Sequence, residues 1–242
     1  MAQNIYDRSE FFDGYSQLPR SVHGLDGAPE WAAIRAMLPG LDGKRVVDLG
    51  CGFGWFARWA REQGAVHVLG LDLSEKMLER AKSATNDENI DYKISDLEQL
   101  ALPEGAFDFA YSSLAFHYID DFGKLVATIY RALTPGARFV FTIEHPIYMA
   151  PVMPAWSRDG DGRRIWPLES YSVEGPRKTD WFAKGVIKHH RTIGTTLNTL
   201  INLGFSIRHV QEWAPTGEQV TENPGLLEEL DRPMMLLISV QK

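Results

Sequence analysis

Residues 46–56, VVDLGCGFGWF, constrain this 242-residue chain more than any other stretch. An apolar run, KRVVDLG, carries Asp48 near its end. Glycines stand at 50, 52 and 54, and the amphipathic run FARWAREQ (56–63) follows at once, closed by Gly64. The order reads as strand, tight turn, helix. Glycine frees such a turn from Cβ clashes and lets a ligand come close to the backbone, while the helix start presents N–H groups with no partner inside the helix. A dinucleotide-binding turn spaces its glycines G-x-G-x-x-G, which would put the third at position 55. Position 55 is Trp, and the pattern is D-x-G-x-G-x-G.

The segments around the loop alternate. VHVLGLD (66–72), IDYKI (90–94), FDFAYS (107–112) and ARFVFTI (137–143) read as strands. Between them, SEKMLERAKS (74–83), with Ser74 as N-cap, and DFGKLVATIYRAL (121–133) read as helices, the latter running up to Pro135-Gly136. Strands alternating with helices of this length predict an α/β fold built on a parallel sheet. WAAIRAML (31–38) predicts an earlier helix with Pro29 at its first turn, while residues 1–27 have no sustained period. Past residue 143 the alternation breaks into prolines at 146, 151, 154, 167 and 176, interleaved with Trp and Tyr. Regularity returns with a helix at 195–204 and strands at 205–213 and 234–240. The predicted division is one domain: an N-terminal helical cover (1–40), a ligand-binding core (41–144), an inserted cap (145–190), and a C-terminal helix and strands (191–242).

Charge and cysteine content narrow the function. Lys and Arg number 25 against 32 Asp and Glu, a formal charge of −7, which disfavours non-specific binding to nucleic acid. One cysteine, Cys51, excludes an internal disulfide or a Cys-rich metal site. No apolar run approaches the ~20 residues needed to span a bilayer, and MAQNIYDRSE lacks the features of an export signal. The expectation is a soluble, cytoplasmic protein with no metal, no membrane contact and no nucleic-acid partner.

DLGCGFG resembles motif I of the class I S-adenosylmethionine-dependent methyltransferases, and later segments match in order. LGLDLS ends a second strand at Asp72, Asp96-Leu97 follows the third, FDFAYSSLAFHYIDD resembles motif IV, and LTPGARFVFT resembles the helix–turn–strand after it. The likeness covers roughly 40–145 and is closest to the ubiquinone/menaquinone-type and general small-molecule branch. It implies a Rossmann-like, doubly wound, seven-stranded sheet, mostly parallel with an antiparallel C-terminal strand, the last strand lying beside its predecessor. It implies S-adenosyl-L-methionine as cofactor and S-adenosyl-L-homocysteine as its product. Carried over residue by residue, Asp48 meets the cofactor's ammonium group, and Gly50, Cys51 and Gly52 line its loop. Asp72 and Leu73 sit at the ribose, and Asp96 and Leu97 at the adenine. Similar enzymes fold their N-terminal stretch over the cofactor carboxylate, which here brings in Tyr15 and Arg20. The carboxyl ends of the fourth and fifth strands face the ligand crevice of an open α/β sheet, which puts Ser112, Ser113, Phe116, His117 and Tyr118 near the methyl group and Glu144 and His145 at the mouth.

Methyl transfer needs an aligned acceptor, exclusion of water and, for a protonated acceptor, a base. His117, Glu144, His145 and His190 are the candidates for that base; no sequence motif marks one. His189 and His190 adjoin on a strand-like segment, so at most one of them reaches a common pocket. The cap is predicted to cover the substrate. Residues 158–191 hold eight basic and five acidic side chains, so Arg163 and Arg164 are candidates for contact with an anionic group. The expected reaction moves a methyl group to oxygen or carbon of a small molecule bound under the cap, by a monomer or homodimer. A cofactor-binding homologue without turnover and a nicotinamide-dependent oxidoreductase are the rivals. Trp55 and Asp96-Leu97 count against the latter.

Overall fold

A computed structural model describes residues 3–242. Its centre is a seven-stranded sheet of β1 (Arg45–Leu49), β2 (His67–Asp72), β3 (Ile90–Ile94), β4 (Phe107–Ser113), β5 (Leu133–Glu144), β10 (Ser206–Glu212) and β11 (Met235–Gln241). The order is β10-β11-β5-β4-β1-β2-β3, with β1 to β5 parallel and β11 antiparallel to both β5 and β10. This is the expected α/β architecture, with the last strand beside its predecessor.

Period-two alternation sends neighbouring strand residues to opposite faces. Val47, Leu49, Ala110 and Phe139 pack on one face with α6 (Phe122–Ala132) and α8 (Ile193–Asn202). Val46, Val68, Phe109 and Tyr111 pack on the other with α3 (Trp31–Met37), α4 (Trp55–Glu62) and α5 (Glu75–Ser83). Caps set the helix starts: the side chains of Ser74, Asp121 and Thr192 accept from Met77, Lys124 and Thr195 N–H.

Three expectations need adjustment. Pro29 lies outside α3, whose N-cap is Glu30. The aperiodic N-terminus forms α1 (Ser9–Ser16), α2 (Pro19–Val22) and a 3₁₀ turn at Gly24–Gly27. Tertiary docking explains those elements: Phe11 is buried edge-on against Trp181 and Phe182, and helices this short do not persist alone in water. The segment after β5 is more regular than its prolines suggest. It holds α7 (Pro146–Met149), a small hairpin of β6 (Ser157–Arg158) and β7 (Arg164–Ile165), and a longer one of β8 (Gly175–Trp181) and β9 (Ala183–His190).

Two buried cations hold that segment. Arg177 donates to the carbonyls of Ala150 (2.8 Å), Val173 (2.6 Å) and Ser170 (3.3 Å). The Arg232 guanidinium lies 4.8–5.4 Å from the rings of Tyr148, Trp156 and Trp166 while pairing with Glu229. The tip of the β8–β9 hairpin buries Ala183 and Val186 with Ile5 and Phe11, so the N-terminus and the hairpin share one small apolar cluster.

Candidate functional site

A cavity of about 400 Å3 lies at the carboxyl ends of β1, β2, β4 and β5, covered by the N-terminal helices and the β8–β9 hairpin. Ligands of open α/β sheets bind at that end, where strand order reverses; here β1 stands between β4 and β2.

The glycine loop forms one wall. Gly50 and Cys51 N–H donate to Leu71 O (2.8 and 2.9 Å), so the loop hangs from the end of β2. Asp72 fixes it from the other side: Oδ2 accepts from Gly52 N–H and Oδ1 from Ser74 N–H, both at 2.9 Å. Gly52 has φ +52°, and a Cβ built on it would meet no protein atom within 4 Å. Gly54, at φ +71°, instead packs its α-carbon against the Tyr92 ring. The two glycines therefore do different jobs, one open to the cavity and one required by close packing.

The charged groups at this end are mostly acids. Burial, reinforced by the charge of Asp72, pushes the Asp48 carboxyl well above its ordinary range, and its Oδ2 is buried without a hydrogen-bond partner among the described residues. Burial also raises Asp72, against the lowering effect of the N–H groups it accepts from. Asp96 lines the cavity and accepts from Glu98 N–H at 2.9 Å. Arg20 reaches in from α2, held by Glu30 at 3.0 and 3.1 Å. Burial works to lower its pKa, but the Glu30 carboxylate outweighs that effect and keeps the guanidinium charged.

The opposite end carries His117, Glu144 and Lys188. Lys188, from β9, pairs with Glu144 Oε1 at 2.5 Å, and both are largely buried. Glu144 Oε2 is buried with no partner among the described residues, and burial raises this carboxyl despite the lysine. His117 sits in a 3₁₀ turn (Phe116–Tyr118) clamped by Arg191, which donates to Phe116 O and Ile119 O. Its Nδ1 accepts the Glu144 N–H at 3.4 Å. Burial, then the charges of Lys188 and Arg191, drive its pKa well down, so the ring is neutral near pH 7. Tyr6 and Tyr118, bonded hydroxyl to hydroxyl at 3.3 Å, complete this end with Tyr148 and Trp181.

Of the residues expected from sequence, Tyr15, Arg20, Asp48, Gly50, Cys51, Gly52, Asp72, Leu73, Asp96, Leu97, His117 and Glu144 line this cavity. Four do not. Ser112 faces the sheet interior, its Oγ donating to Leu49 O at 2.6 Å, and Phe116 is buried in the core, while Ser113 and Tyr118 reach the cavity as expected. His145 is buried away from the cavity: Nε2 meets Glu212 at 2.8 Å, and Nδ1 accepts from Ile147 N–H at the start of α7. His190 sits beyond the cavity, with Nε2 2.8 Å from Tyr171 O, while His189 pairs with Asp120. Arg163 and Arg164 bind Asp159 and Glu228 on the cap surface and do not line the cavity. Glu30, Tyr6 and Lys188 were not singled out. Lys188 had a signal, since strand alternation puts it on the same side of β9 as the buried Val186; Glu30 had none. Among the described residues, no group of three or more His, Cys, Asp or Glu is arranged to hold a metal ion, and no helix is long and apolar enough to cross a membrane.

Comparison with known proteins agrees with this geometry. A family model described as a methyltransferase domain matches residues 47–141. An S-adenosylmethionine-dependent methyltransferase from Mesorhizobium loti of known structure is 62% identical; the superposition covers 90% of this chain and all of that one, with a TM-score of 0.87. A putative enzyme of the same kind from Listeria monocytogenes is 39% identical over 89% of this chain and 98% of its own, with a TM-score of 0.81. The malonyl-[acyl-carrier protein] O-methyltransferase of Pectobacterium atrosepticum is 33% identical over 131 residues, 54% of this chain and about half (51%) of that enzyme.

Proposed function

This chain belongs to the class I S-adenosylmethionine-dependent methyltransferases, and we propose that its cavity holds the cofactor along the glycine loop and a small-molecule acceptor beneath the β8–β9 hairpin, with transfer to oxygen or carbon. When bound, S-adenosylmethionine supplies a methyl group already activated on a sulfonium. The protein's own share is to bind, align, exclude water and hold protons.

The buried, unpartnered Oδ2 of Asp48 beside the open face of Gly52 carries the reading. A buried carboxylate without a partner is costly, and a ligand cation relieves it, as the cofactor's ammonium group would. Asp72 keeps further lone pairs for ribose hydroxyls while tying down the loop, and Asp96-Leu97 suits the adenine edge. Arg20, held charged by Glu30, and Tyr15 suit a carboxylate. The hairpin and N-terminal helices would keep water from the reacting atoms. The malonyl-[acyl-carrier protein] O-methyltransferase relatives transfer to oxygen, which supports oxygen as the acceptor element and leaves its chemical class to the residues of this cavity.

Calorimetric titration with S-adenosylhomocysteine, beside NAD and NADP, tests the cofactor site. Wild type is expected to bind in the micromolar range and to give no heat with either nicotinamide, and Asp72→Ala to lose at least tenfold in affinity. Unchanged affinity in that variant would remove Asp72 from the site.

A further inference from the structure

Resting on that reading, we infer that the acceptor end of the cavity is built for a neutral hydroxyl, phenolic or alcoholic, with Glu144 taking its proton and His117 donating a hydrogen bond to its oxygen. The protonation pattern of the two residues leads there. His117 Nδ1 accepts the Glu144 N–H; in a neutral imidazole the proton is then on Nε2, which makes His117 a donor and not a base. Burial and the nearby cations keep the ring neutral, so His117 drops out of the four base candidates.

Glu144 meets that need. Lys188 occupies Oε1 at 2.5 Å and leaves Oε2 buried and unpartnered. The lysine offsets the carboxylate's charge, and the Tyr118 and Tyr148 hydroxyls stand near enough to feel that charge without bonding to Oε2. Both residues line the same cavity as the rings of Tyr6 and Trp181, which favours an acceptor with a flat or apolar body.

One donor and one acceptor sort the acceptor classes. A hydroxyl accepts from His117 and donates to Glu144. A carboxylate has no proton to give Glu144 and repels it, and an ammonium group cannot accept from His117. The step balances: the hydroxyl oxygen bonds the methyl carbon as the sulfur–carbon bond breaks, sulfur keeps that electron pair and loses its charge, and the hydroxyl proton passes to Glu144 Oε2.

The test is equilibrium binding, by calorimetry, to protein saturated with S-adenosylhomocysteine. The probes are 4-methylphenol, 4-methylanisole, 4-methylbenzoate and 4-methylbenzylamine, which share one ring and differ in the group offered. Wild type is expected to hold 4-methylphenol about tenfold or more above the other three, as a hydrogen bond to a charged group warrants. E144Q is expected to erase that preference while still binding S-adenosylhomocysteine, since Asp48 and Asp72 are untouched. E144Q/K188M, which leaves no unpaired buried lysine, should behave the same way and guards against a folding failure of the single variant. Equal affinities in wild type, a preference for the acid or the amine, or a phenol preference surviving in E144Q would overturn the hydroxyl assignment alone. Failure of wild type to bind S-adenosylhomocysteine would overturn the cofactor reading, and this inference with it.

Discussion

Three glycines within five residues give the sharpest test, because the structure assigns them different work. Gly52→Ala forces an L-residue to φ +52° but adds a methyl group that meets no protein atom within 4 Å. The only cost to the fold is left-handed backbone strain, about 1–2 kcal/mol, or a drop in melting temperature of about 2–8 °C for a domain of this size. The added methyl does enter the volume assigned to the cofactor. Forcing a methyl into filled space costs about 1–3 kcal/mol, so S-adenosylhomocysteine affinity should fall by about 5–150-fold. Gly54→Ala carries similar strain at φ +71° and drives its Cβ into the buried Tyr92, against the hydroxyl and 2.7 Å from Cζ. Strain and overpacking together should remove about 2–5 kcal/mol of stability, while the folded fraction binds within about threefold of wild type, well under 1 kcal/mol. Thermal melts and calorimetry on both variants check the pattern: affinity lost at 52, stability lost at 54. Wild-type affinity in Gly52→Ala, or equal losses of stability in both, would refute the assignment of the open glycine face to the ligand.

Asp48 should link binding to protons. Because burial and the Asp72 charge raise its carboxyl, the ligand-free fold binds a proton that the unfolded chain releases, and stability should decline as pH rises from about 4 through the raised value. An ammonium ligand favours the carboxylate, so binding of S-adenosylhomocysteine should expel protons from this site and weaken as pH falls through the raised value; binding heats independent of the buffer's ionisation enthalpy would contradict this. Asp48→Asn should raise ligand-free stability by about 1 kcal/mol and cut affinity at least tenfold, with a lower melting temperature counting against the burial account. Arg177→Met strands the carbonyls of Ala150, Ser170 and Val173 and should cost about 1–3 kcal/mol locally, read as faster hydrogen exchange across 150–175; wild-type protection there would show that the arginine does not anchor the cap.

Much of the cavity end proposed for the cofactor was legible because its signals are local. Asp48, Asp72 and Asp96 each stand at or just past the end of a short apolar run, and the strand–glycine–helix junction is written in eleven consecutive residues. Periodicities of 2 and 3.6 identify such elements without knowledge of their neighbours, and a parallel sheet follows once the run of βαβ units is recognised. The short N-terminal helices left no such trace, since they exist by docking Phe11 against a hairpin some 170 residues away.

At the end proposed for the acceptor, the sequence named His117 and Glu144, but which candidates meet there was decided by tertiary structure. Glu144 and Lys188 are 44 residues apart and meet only because the β8–β9 hairpin folds back over the carboxyl end of β5. Histidine identity at 117, 145 and 190 was plain in the sequence, but which ring reached the cavity depended on partners elsewhere: Glu212 draws His145 away from it and Tyr171 O holds His190. Backbone preference is set by a residue's near neighbours. The direction and protonation of a buried polar side chain are set by whichever distant group can satisfy it, and local sequence does not name that group.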